Sequence, residues 1–212
     1  MMAVEDVYSS SQCSMIKRTF DVISAAIGLL VLIPALTVIA VLIKLDSNGP
    51  VFYRGIRSGR SGLPFQIHKF RTMVPNAEKL GGLSTAKNDS RITRIGRVLR
   101  KYKLDELPQL INVFKGEMSI VGPRPEMPEY TSQYASEERL ILTIRPGITD
   151  YASLEFIQLG EVLGSEDADR VYEKKVRPIK NALRVKYVKE QSFFGDMIII
   201  LRTLAKLAGL HG

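Results

Sequence analysis

Asp105 and Glu106 stand side by side at the end of a run of cations. Arg91, Arg94, Arg97 and Arg100 recur every third residue, Lys101 and Lys103 follow, and a Gly122-Pro123-Arg124-Pro125 turn lies downstream. Side chains three apart share a face of a helix, so a helical segment would carry one basic stripe. Leu104, Leu107, Ile111 and Phe114 give the second half of the segment an apolar face of its own. Pro108 is compatible with a first helical turn, which places Asp105 near an N-cap beside free backbone N–H groups. Prolines on both sides of Arg124 fix its backbone, which suits a pre-organised contact to an anion. Taken singly, an acidic helix start and a solvated basic face are ordinary. Taken together, and behind a membrane segment, they look like a site for a phosphate-rich, lipid-linked substrate.

The chain of 212 residues can bury one good core. Its formal charge of +8 suits nucleic acid, anionic lipid or a polyanionic small molecule without choosing among them. Cys13 is the only cysteine, which excludes an intrachain disulfide. His68 and His211 are the only histidines and stand too far apart for a zinc pattern.

Residues 1–14 are polar and serine-rich and are expected to be poorly ordered. Residues 22–43 are uncharged and long enough to cross a bilayer. Pro34 interrupts them near the middle, at a cost of about 3 kcal/mol to a straight helix. Lys17 and Arg18 precede the segment, and Lys44, Arg54, Arg57 and Arg60 follow it. Cations on both flanks favour a re-entrant hairpin (residues 15–46, bent at Pro34) over a span, because both ends then stay on the cytoplasmic side.

The segment leaves the membrane at Asn48-Gly49-Pro50. Short strands are expected at Val51–Tyr53 and over residues 64–73, where period two sets Lys69 and Arg71 on one face. Arg71 is a candidate phosphate ligand or a snorkelling surface residue, and His68 is read as structural or exposed. A short helix around Ala77–Leu80 precedes a Gly-rich loop. Residues 126–143 read as helical, and Val171–Val188 as one helix interrupted at Pro178. The last 22 residues form an amphipathic helix whose apolar band contains Asp196, a carboxylate that must be paired, at an edge, or functional.

From Lys17 onward the chain resembles the bacterial sugar transferases, the polyprenyl-phosphate glycosyl-1-phosphate transferases whose small members are monotopic phosphoglycosyl transferases. The resemblance rests on Lys17-Arg18-Thr19-Phe20-Asp21, Gly49-Pro50-Val51-Phe52-Tyr53, Lys69-Phe70-Arg71-Thr72-Met73, Arg91-Ile92-Thr93-Arg94-Ile95-Gly96, Leu104-Asp105-Glu106-Leu107-Pro108-Gln109 and Val121-Gly122-Pro123-Arg124-Pro125. It implies transfer of a sugar 1-phosphate from a nucleoside diphosphate sugar, usually a UDP-sugar, to polyprenyl (undecaprenyl) phosphate, with Mg2+, at the cytoplasmic face of the bacterial inner membrane. By resemblance Asp105 is the nucleophile of a covalent phosphosugar intermediate, and Glu106 completes the dyad in metal binding or proton handling. Arg100 and Arg124 match arginines near the phosphate, Asp196 matches a further functional acid, and Arg71 and Arg94 within matched motifs join the substrate-binding candidates.

The implied fold is α/β: a mostly helical catalytic unit over 47–212 with a small antiparallel sheet, laid on the anionic bilayer by the hairpin. No nucleic-acid partner is expected, and a homo-oligomer is left open. Two departures stand out. Ile33 precedes Pro34 where relatives often carry serine, and Asp150-Tyr151-Ala152-Ser153 replaces a Gly-Trp-Ala-Gln-like stretch. The strongest rivals are a membrane phosphohydrolase, which the same acid and arginines would serve, and a non-enzymatic basic membrane adaptor or nucleic-acid binder, which would not need the carboxylate pair.

Overall fold

The computed structural model describes residues 2–77, 80, 89–156 and 168–209, without the side chains of 2–14 and 168. The expected helix around Ala77–Leu80, most of the Gly-rich loop after it and the acidic stretch at Ser165–Asp167 therefore lie largely or wholly outside the described residues. The architecture is mostly helical with three small strand pairs, as an α/β reading of the sequence anticipates in outline.

Helix α1 runs Met2–Asp46 and takes in the serine-rich leader. It stays helical through Pro34, so no loop reverses the chain there. The Thr37 hydroxyl donates to the Ile33 carbonyl at 2.9 Å, a back-bond that bends helices and lends a polar partner beside the proline. Two separate stretches of α1 hold the same globular unit. At mid-helix, Ala25 is fully buried among Ile67, Val113 and Met118. Near the C-terminal end, Ile39 and Ile43 pack with Phe70 and Leu99. Between them Leu30 is 71 % exposed, with Val31 and Ile33 also uncovered. Only 11 % of the most apolar window of α1 is buried, so it is not the core helix of a soluble protein and needs an apolar medium.

Beyond α1 the strands are short and paired locally. β1 (Phe52–Tyr53) runs antiparallel to β4 (Lys69–Phe70), and β2 (Ile56–Ser58) antiparallel to β3 (Pro64–Gln66). The strand expected over 64–73 thus splits, because the His68 N–H goes to Asn112 Oδ1 at 2.8 Å instead of to a ladder partner. β5 (Ser119–Val121) pairs with β6 (Gly147–Thr149) in parallel, which corrects the expectation of a single antiparallel sheet. A Cβ on Gly147 would lie 2.1 Å from the Gly122 nitrogen, so only glycine admits this approach of the two chains.

Helix α2 (Arg94–Lys101) starts at Thr93, whose side chain accepts from the Gly96 N–H. After it come a 3₁₀ turn over Leu104–Glu106 and α3 (Gln109–Lys115), capped by Pro108. Asp105 is accordingly not an N-cap but sits in its own tight turn one step earlier. The face that α3 buries carries Gln109, Asn112 and Val113, while Phe114 is exposed. The apolar face expected from Leu104, Leu107, Ile111 and Phe114 is therefore not the one turned fully inward, because α3 packs against α1, with Leu110 on Gly28.

The region 126–143, read as helical, is a short α4 (Pro128–Thr131) and a 3₁₀ segment over Glu138–Thr143. α5 (Tyr151–Glu155) follows β6. α6 (Ala168–Val171) passes through a π turn at Tyr172–Val176 into α7 (Arg177–Glu190). Pro178 lies in the first turn of α7, where a missing N–H is tolerated, so it causes no break there. α8 (Phe193–Leu207) closes the chain with Phe194, Leu201 and Leu204 exposed.

Candidate active site

The carboxylate pair is held below the surface by the turn that carries it. Lys103 takes a left-handed conformation, φ 55°, and swings the chain from the end of α2 into the 3₁₀ turn. Asp105 and Glu106 are both buried there. Glu106 receives both arms of Arg124, at 2.7 and 2.6 Å, and Lys69 Nζ at 3.3 Å. Burial pushes the Glu106 carboxyl up, but Arg124, Lys69 and Lys103 outweigh it and hold it well below the usual range. The Glu106 charge in turn raises the Arg124 guanidinium against its desolvation. Glu106 is thus a fixed anion.

Asp105 is arranged differently. Oδ2 lies 3.3 Å from Lys69 Nζ, whereas Oδ1 is buried without a hydrogen-bond partner. An orphaned carboxylate oxygen in a cationic cage is poised for something that is not part of the polypeptide. Arg100 supports it from α2: Nε donates to the Thr72 hydroxyl at 2.8 Å, and burial lowers its guanidinium while the Asp105 charge opposes that shift. This seat depends on Gly96, where a Cβ would stand 2.1 Å from the Thr72 carbonyl oxygen.

Arg124 is oriented from behind. Its backbone N–H donates to Asp150 Oδ2 at 3.2 Å, and Asp150 Oδ1 accepts from the Ser153 N–H at 2.6 Å as the N-cap of α5. The departure at 150–153 noted in the sequence therefore builds the backing of the site. Arg184 on α7 lies 3.9 Å from Asp150 and bonds Glu126 at 2.7 Å. A cavity of about 320 Å³ is lined by Lys103, Glu106 and Arg124 together with Leu107, Leu110, Ser153, Phe156 and Lys180.

The other candidates are placed elsewhere. The Arg71 guanidinium donates to the carbonyls of Ser47, at 2.7 Å, and Asn48, so it caps the end of α1. It is buried and does not snorkel. Arg94 and Arg97 are exposed on α2 while Arg100 sinks inward, and Arg91 lies ahead of the helix on Asp89 at 2.6 Å, so the stripe divides. Asp196 is paired: it accepts from Lys17 Nζ at 2.5 Å and the Tyr187 hydroxyl at 2.7 Å. Burial raises its carboxyl, and Lys17 opposes that. The same lysine and tyrosine reach the Val121 carbonyl, at 2.9 and 3.1 Å, so Asp196 ties α1, α7, α8 and β5 together. His68 is structural, on Asn112. Lys69, the cation shared by both carboxylates, was overlooked in favour of Arg71. The alternation that put the two on one face was the signal, and it ends at Phe70 where the strand ends.

The bacterial sugar transferase family profile matches residues 12–209. The chain belongs to the bacterial sugar transferase family. Among the proteins it is similar to is the UDP-N-acetylgalactosamine-undecaprenyl-phosphate N-acetylgalactosaminephosphotransferase of Aeromonas hydrophila, 37 % identical over 89 % of this chain and 43 % of the relative. The exopolysaccharide production protein ExoY of Rhizobium meliloti is 37 % identical, covering 90 % of this chain and 84 % of its own length. The UDP-glucose:undecaprenyl-phosphate glucose-1-phosphate transferase of Caulobacter vibrioides is 35 % identical over 90 % and 69 %. The chain thus spans less than half the length of the Aeromonas protein and most of the length of the other two.

Proposed function

We propose that this chain transfers a sugar 1-phosphate from a UDP-sugar to undecaprenyl or a related polyprenyl phosphate through a covalent Asp105 intermediate. The observation that carries this reading is the contrast within the carboxylate pair. Glu106 has both oxygens engaged by Arg124, while Asp105 keeps a buried oxygen without a partner. The relatives' named activities supply the substrate class, and the exposed apolar centre of α1 suits an acceptor whose tail lies in a membrane.

In the first half of the reaction a carboxylate oxygen of Asp105 attacks the phosphorus joined to the sugar. The phosphorus–oxygen bond to the nucleotide phosphate breaks, and nucleoside monophosphate leaves with that electron pair. In the second, an oxygen of polyprenyl phosphate attacks the same phosphorus, frees the Asp105 carboxylate and yields the lipid diphosphate sugar. Lys69, Arg100 and Arg124 surround the reacting phosphate with positive charge that is already in place. Glu106 holds the Arg124 fork in position and balances that charge. A phosphohydrolase would use water in place of the lipid phosphate; the relatives' names, which specify transfer to undecaprenyl phosphate, favour transfer.

A magnesium ion fits this site in one way. It requires oxygen ligands and readily takes one carboxylate with substrate phosphates. Asp105 Oδ1 is the free protein oxygen, whereas Glu106 is engaged by arginine, so Asp105 rather than the pair would hold it. The bound ion would neutralise the diphosphate. The seating we favour is re-entrant: the apolar centre of α1 dips into the cytoplasmic leaflet of the inner membrane while the stretches on either side of it stay on the catalytic unit.

Intact mass tests the chemistry. Purified protein mixed with magnesium and a panel of UDP-sugars, without lipid acceptor, should gain the mass of one sugar phosphate. The adduct should be absent in Asp105→Asn and discharged by polyprenyl phosphate. Undiminished turnover by Asp105→Asn would remove Asp105 as nucleophile.

A further inference from the structure

The mechanism above does not use Lys180, one of the cations on the cavity wall. Lys180, on α7 one turn before Arg184, is 6 % exposed and lines the same cavity as Glu106 and Arg124. Its ammonium lies 5.1 Å from the Tyr172 ring centroid and 5.6 Å from that of Phe156. Among the described residues it forms no ion pair. Two carboxylates face it, and other groups hold both. Glu126 is engaged by Arg184 at 2.7 Å and by the Tyr172 hydroxyl at 2.8 Å, and Asp150 by the N–H groups of Ser153 and Arg124. Arg184 and Arg124 repel it, and burial pushes its ammonium down to about 8. A buried cation whose neighbouring anions are all occupied is costly unless a further anion arrives.

The donor offers one. Its diphosphate has two phosphates with different fates: the one joined to the sugar goes to Asp105, and the other departs with the nucleoside. Arg124, Lys69 and Arg100 cluster around the first position. Lys180 lines the cavity that Glu106 and Arg124 also line, beside the ring of Phe156. We propose that Lys180 binds the phosphate of the departing nucleoside monophosphate, with Phe156 offering a face to the base. This rests on the transferase reading. As the bond to the nucleotide phosphate breaks, its electron pair adds a negative charge to that phosphate, and the ammonium of Lys180 meets it without any proton being transferred. The second half-reaction contains no nucleotide, so Lys180 works in charging Asp105 and in the reverse of that step, and not in discharge.

That split is the test. With the full chain in detergent, magnesium and the UDP-sugar that charges wild type, the rate of adduct formation and the rate of adduct discharge by polyprenyl phosphate are measured separately. Lys180→Met is expected to slow charging roughly tenfold or more and to weaken competition by uridine monophosphate similarly. Discharge should change by less than about twofold, and Lys180→Arg should recover part of the charging rate. The melting temperature of Lys180→Met should equal or exceed that of wild type, since a buried unpaired charge has been removed. If Lys180→Met does not fold, the same two rates in Lys180→Arg decide, with charging slowed and discharge unchanged. Charging and discharge falling together, or both unchanged, overturns the assignment. Failure of the wild type to charge with any donor instead overturns the covalent Asp105 intermediate, and the role of Lys180 in charging with it.

Discussion

At the scale of single residues, the Glu106–Arg124 pair sets what acid and mutation should do. Glu106 is buried and ionised, with a folded-state carboxyl well below its unfolded value. Its contribution is therefore fully present above the unfolded carboxylate range and is lost as pH falls through the depressed folded value. Glu106→Gln should lose on the order of 3 kcal/mol at neutral pH by leaving Arg124 unpaired, and its stability should vary less with acid than wild type. Thermal denaturation from pH 3 to 7 reads both effects.

Lys180 is shifted in the same direction, but for a cation that shift marks a cost of burial rather than a gain. Its folded value, about 8, lies below the ordinary lysine value of 10.5, so the unfolded chain binds more protons between them and stability gains with rising pH across that window. Comparison of wild type with Lys180→Met isolates this contribution from that of the other titrating groups. Asp105, Glu106 and Arg124 were legible in the sequence because each sits in a compact local motif. Lys180, Asp150 and Arg184 were not, because the chain brings Arg184 to Glu126 across 58 residues and nothing local marks the meeting.

Among the elements, α2 transmits strain most directly. Gly96→Ala would drive a methyl group into the Thr72 carbonyl, lift α2 and carry Arg100 off the Thr72 hydroxyl. A loss of about 1–3 kcal/mol is expected, together with slower formation of the Asp105 adduct, measured by melting temperature and intact mass. Arg71→Ala acts at the other end of the same region by freeing the Ser47 and Asn48 carbonyls at the end of α1. It should lower the melting temperature in detergent, by roughly 1–3 kcal/mol of lost buried hydrogen bonding. α1 and α8 were readable from apolar content alone. The parallel pairing of β5 with β6 was not, because its strands are three residues long and separated by a whole helical stretch. The buried face of α3 was misassigned because Gln109 and Asn112 are polar and turn inward, with the Asn112 amide bonding the Gln66 carbonyl and Glu117.

For the whole molecule, the decisive feature is that one apolar helix grips one domain at two places. A crossing of the bilayer by α1 would tear away one of the two contacts, either Ala25 with Met118 or Ile43 with Phe70. Cys13, the only cysteine, and a second cysteine introduced as Asn48→Cys should therefore lie on one side of the membrane. A membrane-impermeant maleimide should spare both in spheroplasts and modify both in inverted vesicles; opposite behaviour of the two would mean a span. In the sequence the expectation of shared sidedness rests on the flanking cations alone; the contacts of Ala25 and Ile43 give it a second, independent basis.

The same grip sets an order of events during synthesis. Lys17 leaves the ribosome well before Asp196, 179 residues later, and must wait for it. At about 5–20 residues per second that interval is roughly ten to thirty seconds, far longer than a helix needs to form or an apolar segment to find lipid. The newborn helix must therefore be sheltered in the membrane before its protein partners exist, and the catalytic unit folds afterwards against a template already held there. The closing of Lys17 on Asp196 and Tyr187 therefore comes late, a latch that a nascent chain stopping short of α8 cannot fasten.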